Sequence, residues 1–241
     1  MGAVASAWTM LAGQPWLWLA LTLAAYMAGQ RIQRRLHGAP MANPVLLAVA
    51  MLMVLLTVTH TPYATYFAAT QWLQFLLGPA TVALAVPLVL NLHHVRSSLR
   101  SVLPALLAGS MTSALSGLAV VWLFGGTRAL ALSMATKAVT TPIAMAIAQE
   151  VGGMPALTAA LAIAGGIYVG IIGRKVLRWM RIEDWRVHGL AAGVAGSGVA
   201  AAEVAPLSAL AAAFAAIGVG VNGLLTTLVV PFLAHIWKLG G

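Results

Sequence analysis

The residue best placed to do chemistry is Lys137, in Ser133-Met134-Ala135-Thr136-Lys137-Ala138-Val139-Thr140-Thr141-Pro142, inside an apolar run over 129–149. An uncompensated ammonium in hydrocarbon costs at least about 2.5–3.5 kcal/mol. Lys137 must therefore face water, an anion or a carboxylate. Thr140 and Thr141 follow one turn later, and Pro142 removes a backbone donor. A helix restarting at Pro142 aims its N-terminal amides and positive dipole end at the same place. Ammonium, hydroxyls and amides together suit a carboxylate. The plainer alternative is a proline kink whose threonines bond to their own helix, with Lys137 paired to Glu203 or Glu150.

A second set lies in Gly193-Val194-Ala195-Gly196-Ser197-Gly198, which is too rich in glycine for a robust helix. Either the chain breaks at Gly196 and Gly198 and offers the Ser197 hydroxyl, or small residues let two helices approach closely. Glu203 is the other ionisable group inside an apolar run, a partner for Lys137 or a proton carrier. Asn222 is an apolar-run amide that must find partners, lining a cavity or joining helices. The histidines form no metal-spaced set, there is no cysteine, and no nucleophile–base pair is visible. A non-enzyme without metal or cofactor is expected.

These residues need elements to hold them. The 241 residues are 61% hydrophobic and only 7% charged, against roughly 25% charged in soluble domains. No charged residue occurs between Arg35 and Arg96, and only Glu203 between Arg186 and Lys238. Crossing the hydrocarbon takes about 20 apolar residues as a helix, and the continuous runs exclude the alternating pattern of a barrel. The expectation is an all-α polytopic membrane protein, one membrane domain over 1–241. Apolar segments fall at 16–30, 43–59, 70–90, 102–124, 129–149, 155–173, 190–204 and 207–233. The early spans within 14–124 read as scaffold and 129–233 as a broken-helix, transport-like region. The first thirteen residues carry no positive n-region, so a retained first helix is expected rather than a cleaved signal peptide.

The net charge of +9 does not point to nucleic acid. Its basic residues cluster between apolar runs: Arg31, Arg34 and Arg35; Arg96 and Arg100; Arg174, Lys175, Arg178, Arg181 and Arg186. Such clusters mark cytoplasmic loops facing anionic lipid. With all three inside, the N-terminus lies outside and 155–173 runs from outside to inside. The segment 129–149 must then enter and leave on the outer side, as a re-entrant or broken element. Ala148-Gln149-Glu150-Val151 before Pro155 also resembles Ala201-Ala202-Glu203-Val204 before Pro206. Two similar units of opposite orientation would be an inverted repeat of the transporter kind.

Several stretches together resemble the CidB/LrgB family of bacterial membrane proteins: Leu76-Leu77-Gly78-Pro79-Ala80-Thr81-Val82-Ala83-Leu84-Ala85-Val86-Pro87-Leu88, then Lys137-Ala138-Val139-Thr140-Thr141-Pro142-Ile143-Ala144, then Asn222-Gly223-Leu224-Leu225-Thr226, with Asn43-Pro44 at the usual start. The resemblance implies a multi-pass protein of the bacterial inner membrane. It implies one of two functions: transport of small monocarboxylates of the pyruvate, glycolate and glycerate class, or holin/antiholin-like control of murein hydrolase activity and autolysis. It also implies a small membrane partner of the CidA/LrgA type; a homodimer is expected on the general frequency of two-fold assembly. The residues favour transport, with Lys137, Thr140, Thr141, Ser197 and Asn222 binding substrate and Glu203 either pairing with Lys137 or carrying a proton. The family's Ser-His-Gly-x-Gly-Thr-Ala-Arg pattern is altered here: Ser197 stands for histidine, Ala201 for threonine and Glu203 for arginine. Thr136 and Ala138 stand for the family's proline and serine.

Overall fold

The computed structural model describes residues 14–36, 42–76, 79, 82–83 and 85–239. The first thirteen residues, His37 and residues 77, 78, 80, 81 and 84 of the 76–88 stretch lie outside these. Among the described residues all regular structure is helical, as the composition requires. The chain divides into two compact units, Met1–Ala83 and Leu84–Gly241.

In the first unit, α1 (Pro15–Arg35) and α2 (Pro44–Val58) meet where Gly29 lies against the Pro44 backbone. The expected helix start at Asn43-Pro44 is present: the Asn43 Oδ1 accepts from the amides of Val45 and Leu46 at 2.9 and 3.1 Å. Trp18 is fully buried against α3 (Tyr63–Ala69), edge-on to Tyr66 at 5.5 Å. Part of the span expected over 70–90 lies outside the described residues. Its described residues include two short helices, α4 (Gln71–Phe75) and α5 (Ala85–Leu90), in a stretch where Pro79 and Pro87 each remove a backbone donor.

The second unit, beyond α5, comprises α6 (Leu92–Leu123), α7 (Arg128–Ala135), α8 (Thr141–Val151), α9 (Pro155–Trp179), α10 (Trp185–Val204) and α11 (Ala209–Leu239). Among the described residues, four stretches are long and apolar enough to cross a membrane: Leu92–Leu123, Pro155–Trp179, Trp185–Leu207 and Ala209–Ile236. The helix α6 begins well before the expected 102, taking in Arg96 and Arg100.

Elements α7 and α8 form a re-entrant hairpin. Gly125 turns the chain with φ +70°, and α7 runs back along α6 until Met134 reaches Gly117. The tip is 136–140, and α8 then returns: the amide of Met154 donates to the Ser133 hydroxyl at 2.7 Å. Glu150, Val151 and Gly152 share a cavity with Arg128, Ala129 and Leu132. The return ends at Gly152, whose φ of +84° is a left-handed helix stop. The charge rule required both ends of this segment to lie on one side, and the structure brings 128–133 and 150–154 together.

Helix α10 also doubles back, at Ser197 (φ 52°, ψ −149°). Gly189 and Gly193 lie against Ala211 and Ala215, so the first half of α10 runs parallel to α11. A straight helix would carry Val204 about 22 Å past Gly189, yet α11 begins five residues after Val204 and passes Gly189 at Ala211. The second half instead runs parallel to α9, with Gly166 against Val199 and Gly170 against Glu203. Since α9 and α11 run oppositely, the two halves of α10 are antiparallel. This second hairpin enters from the C-terminal end of α9, the first from its N-terminal end.

Candidate functional site

The two hairpin tips meet. Thr140 Oγ1 and Ser197 Oγ share a hydrogen bond of 3.0 Å. Beside them, Asn222 of α11 is 1% exposed and fully engaged. Its Nδ2 donates to the carbonyls of Ala138 and Val194 at 2.9 and 3.1 Å, and its Oδ1 accepts from the Ser110 hydroxyl at 2.6 Å. One amide therefore ties together both hairpins, α6 and α11. The level of this junction follows from helix geometry. Gly165, eleventh of the 25 residues of α9, faces the Lys137 carbonyl. Ten residues of α9 precede it, about 15 Å, half the thickness of a hydrocarbon core of about 30 Å.

The backbone at Ser197 occupies a region that is essentially reserved for glycine. The break expected at Gly196 and Gly198 falls on the residue between them. Gly189 and Gly193 provide close approach to α11, and the chain reverses at Ser197, flanked by Gly196 and Gly198. Thr140 is the N-cap residue of α8, but its side chain makes no cap hydrogen bond, because its hydroxyl is turned to Ser197. The first-turn amides of α8, including that of Thr141, are thus not met by the usual side-chain acceptor. Pro142 takes the first turn of this helix, the position where a missing N–H costs nothing.

Lys137 projects from the first tip toward α6, where its half-buried ammonium donates to the Ser113 carbonyl at 3.0 Å. Gly117 makes room for it: a β-carbon there would lie 2.7 Å from the Met134 carbonyl and 3.2 Å from the Lys137 Nζ. Lys137 also lines a groove of about 1020 Å³ between α6 and the first half of α10. Thr140, Thr141, Ser197 and Asn222 are not among the residues lining it. Glu203 lies on the second half of α10 with its Cγ toward Gly170.

The groove runs from the Lys137 level to the opposite end of α6, where Ser97, Ser98, Asp184 and Arg186 line it. Ser98 and Ser113 are fifteen residues apart on α6, about 22 Å. Both basic clusters of this unit, around Arg96 and around Arg186, stand at that end. The Arg186 guanidinium beside Asp184, 2.7 Å away, holds that carboxyl below its ordinary value. Along the groove, Ser97, Ser101, Thr112 and Ser116 give hydroxyls to one face of α6. They went unremarked in the sequence, where their spacing, completed by Ala105 and Ala108, is nevertheless the helical three-or-four period. The arrangement can draw an anion from the basic end to an ammonium near midplane and solvate it with hydroxyls.

Four long apolar helices and two hairpins that meet beside a lysine define a multi-pass α-helical membrane protein. The model of the LrgB-like family matches residues 22–236, and the chain belongs to that family. It is 30% identical over 219 residues to the Uncharacterized protein YxaC of Bacillus subtilis (strain 168), covering 91% of this chain and 95% of that one. It is 30% identical over 217 residues to the Antiholin-like protein LrgB of Bacillus cereus (strain B4264), covering 90% and 94%, and equally to that of Bacillus anthracis (strain CDC 684 / NRRL 3495). No solved structure matches the chain.

Proposed function

We propose that this protein moves small monocarboxylates of the pyruvate, glycolate and glycerate class across the bacterial cytoplasmic membrane by alternating access. The observation that carries the reading is the Lys137 ammonium, held at a midplane hairpin tip and lining a groove that reaches the basic end. The positive-inside rule makes that end cytoplasmic and puts the N-terminus outside. The carboxylate binds Lys137 and the hydroxyls facing it in the groove. Thr140, Thr141 and Ser197 at the tip contact become available when the hairpins part, Asn222 keeps the tips in register, and Glu203 is the candidate proton carrier. A homodimer, with or without a small membrane partner of the CidA/LrgA type, is the proposed assembly.

A second reading is an antiholin-like regulator of murein hydrolase activity, and the names of the relatives favour it. Uptake of labelled pyruvate, glycolate and glycerate into proteoliposomes separates the two. Saturable uptake that Lys137→Ala abolishes, with an unchanged elution profile and melting curve, supports transport. Leakage of an encapsulated dye without saturable uptake of any of the three acids would sink it in favour of the second reading.

A further inference from the structure

The groove has a second cation, Arg186, at its mouth. Arg186 stands in the first turn of α10, and its side chain is nearly half exposed, at 46%. One edge of the guanidinium is held by Asp184: Nη2 lies 2.7 Å from Oδ2, and Nε donates to Oδ2 and Oδ1 at 2.9 and 3.1 Å. The other edge reaches across the mouth to α6, with Nη1 donating to Ser98 Oγ at 3.5 Å. Asp184 has a separate duty, since its Oδ1 also accepts from the Arg186 amide at 2.9 Å and caps α10.

A guanidinium fork matches any carboxylate, whether it belongs to the chain or to a solute. An ion pair this exposed is worth little, so exchanging one carboxylate for another costs little. The arriving anion would also meet the hydroxyls of Ser97, Ser98 and Ser101 on the facing wall.

We propose that Arg186 is the entry-site residue of the groove: it receives the carboxylate of an incoming solute in exchange for Asp184, and Asp184, as the built-in competitor, sets how much solute is needed. The inference rests on the transport reading and adds a specificity-determining pair to it, about 22 Å from Lys137. Two substitutions then act in opposite directions. Arg186→Gln removes the receiver and raises KM. Asp184→Asn keeps an oxygen for the helix cap, where asparagine and aspartate serve alike, but removes the competing charge and lowers KM.

The test is initial-rate uptake of labelled pyruvate by the full-length protein in proteoliposomes, at low and high ionic strength, for the wild type, Arg186→Gln, Arg186→Lys and Asp184→Asn. Arg186→Gln is expected to raise KM about three- to tenfold, the range of one partly exposed charge-assisted contact, and to flatten the salt dependence. Arg186→Lys should recover part of the loss, and Asp184→Asn should lower KM. Wild-type uptake with Arg186→Gln and Asp184→Asn shifting KM in the same direction, or with neither shifting it, overturns this inference alone. No saturable wild-type uptake overturns the transport reading and this inference with it. Should Arg186→Gln fail to fold, the sign of the Asp184→Asn shift decides.

Discussion

Asn222 is the most consequential single side chain that the fold exposes to experiment. Asn222→Ala removes three hydrogen bonds at once: those to the carbonyls of Ala138 and Val194 and that from the Ser110 hydroxyl. Interhelical hydrogen bonds inside membranes average about 0.6 kcal/mol, and buried ones in general about 1 kcal/mol. The three together amount to about 2–3 kcal/mol. For a chain of this length, each kcal/mol moves the melting temperature by about 2–4 °C, so Asn222→Ala is expected to melt about 5–10 °C lower. The assay is thermal unfolding of the detergent-solubilised protein, followed by its intrinsic tryptophan fluorescence. The reasoning has a second limb. Ser110 donates to Asn222, so Ser110→Ala should cost about 1 kcal/mol alone and almost nothing in the Asn222→Ala background, because the two act as one unit. A melting point within about 2 °C of the wild type, or simple additivity in the double variant, would refute the assignment of Asn222 as the brace between the hairpins.

Three further outcomes follow from the same geometry. Ser197→Ala keeps the strained backbone and loses the bond to Thr140, whereas Ser197→Gly loses the bond but relieves the strain, so thermal melting should rank Ser197→Ala below Ser197→Gly. The chain has no cysteine, so single cysteines can be labelled cleanly in sealed vesicles. Cysteines at Gly125 and Gly152 should react from one side of the membrane and one at Arg178 from the other; a cysteine at Gln149 that labels from the Arg178 side would contradict the re-entrant first hairpin. Lys137→Ala should abolish saturable monocarboxylate uptake without lowering the yield of folded protein, and unchanged uptake would remove Lys137 from the site.

Much of this protein was legible before folding. Continuous apolar runs with so few charges require bilayer-spanning helices, because no other solvent accepts that surface. The placing of arginines required 129–149 to turn back within the membrane, and Ser133, bonded to the Met154 amide, marks that return. The intramembrane lysine, the proline opening α8 and the glycine-rich break were likewise visible, since each violates the rules of an ordinary span. Tertiary structure alone decided which of these residues meet. Helical periodicity does not say how two elements 57 residues apart are brought together, so the contact of Thr140 with Ser197 could not be read from the chain. Nor does composition assign a partner to a polar group. Packing turned the Lys137 ammonium to Ser113 and the groove, and it engaged the Asn222 amide with Ser110, Ala138 and Val194. The sequence alone determined that polar groups must interrupt an apolar interior; the fold decided what each of them touches, because that depends on the register of helices distant along the chain.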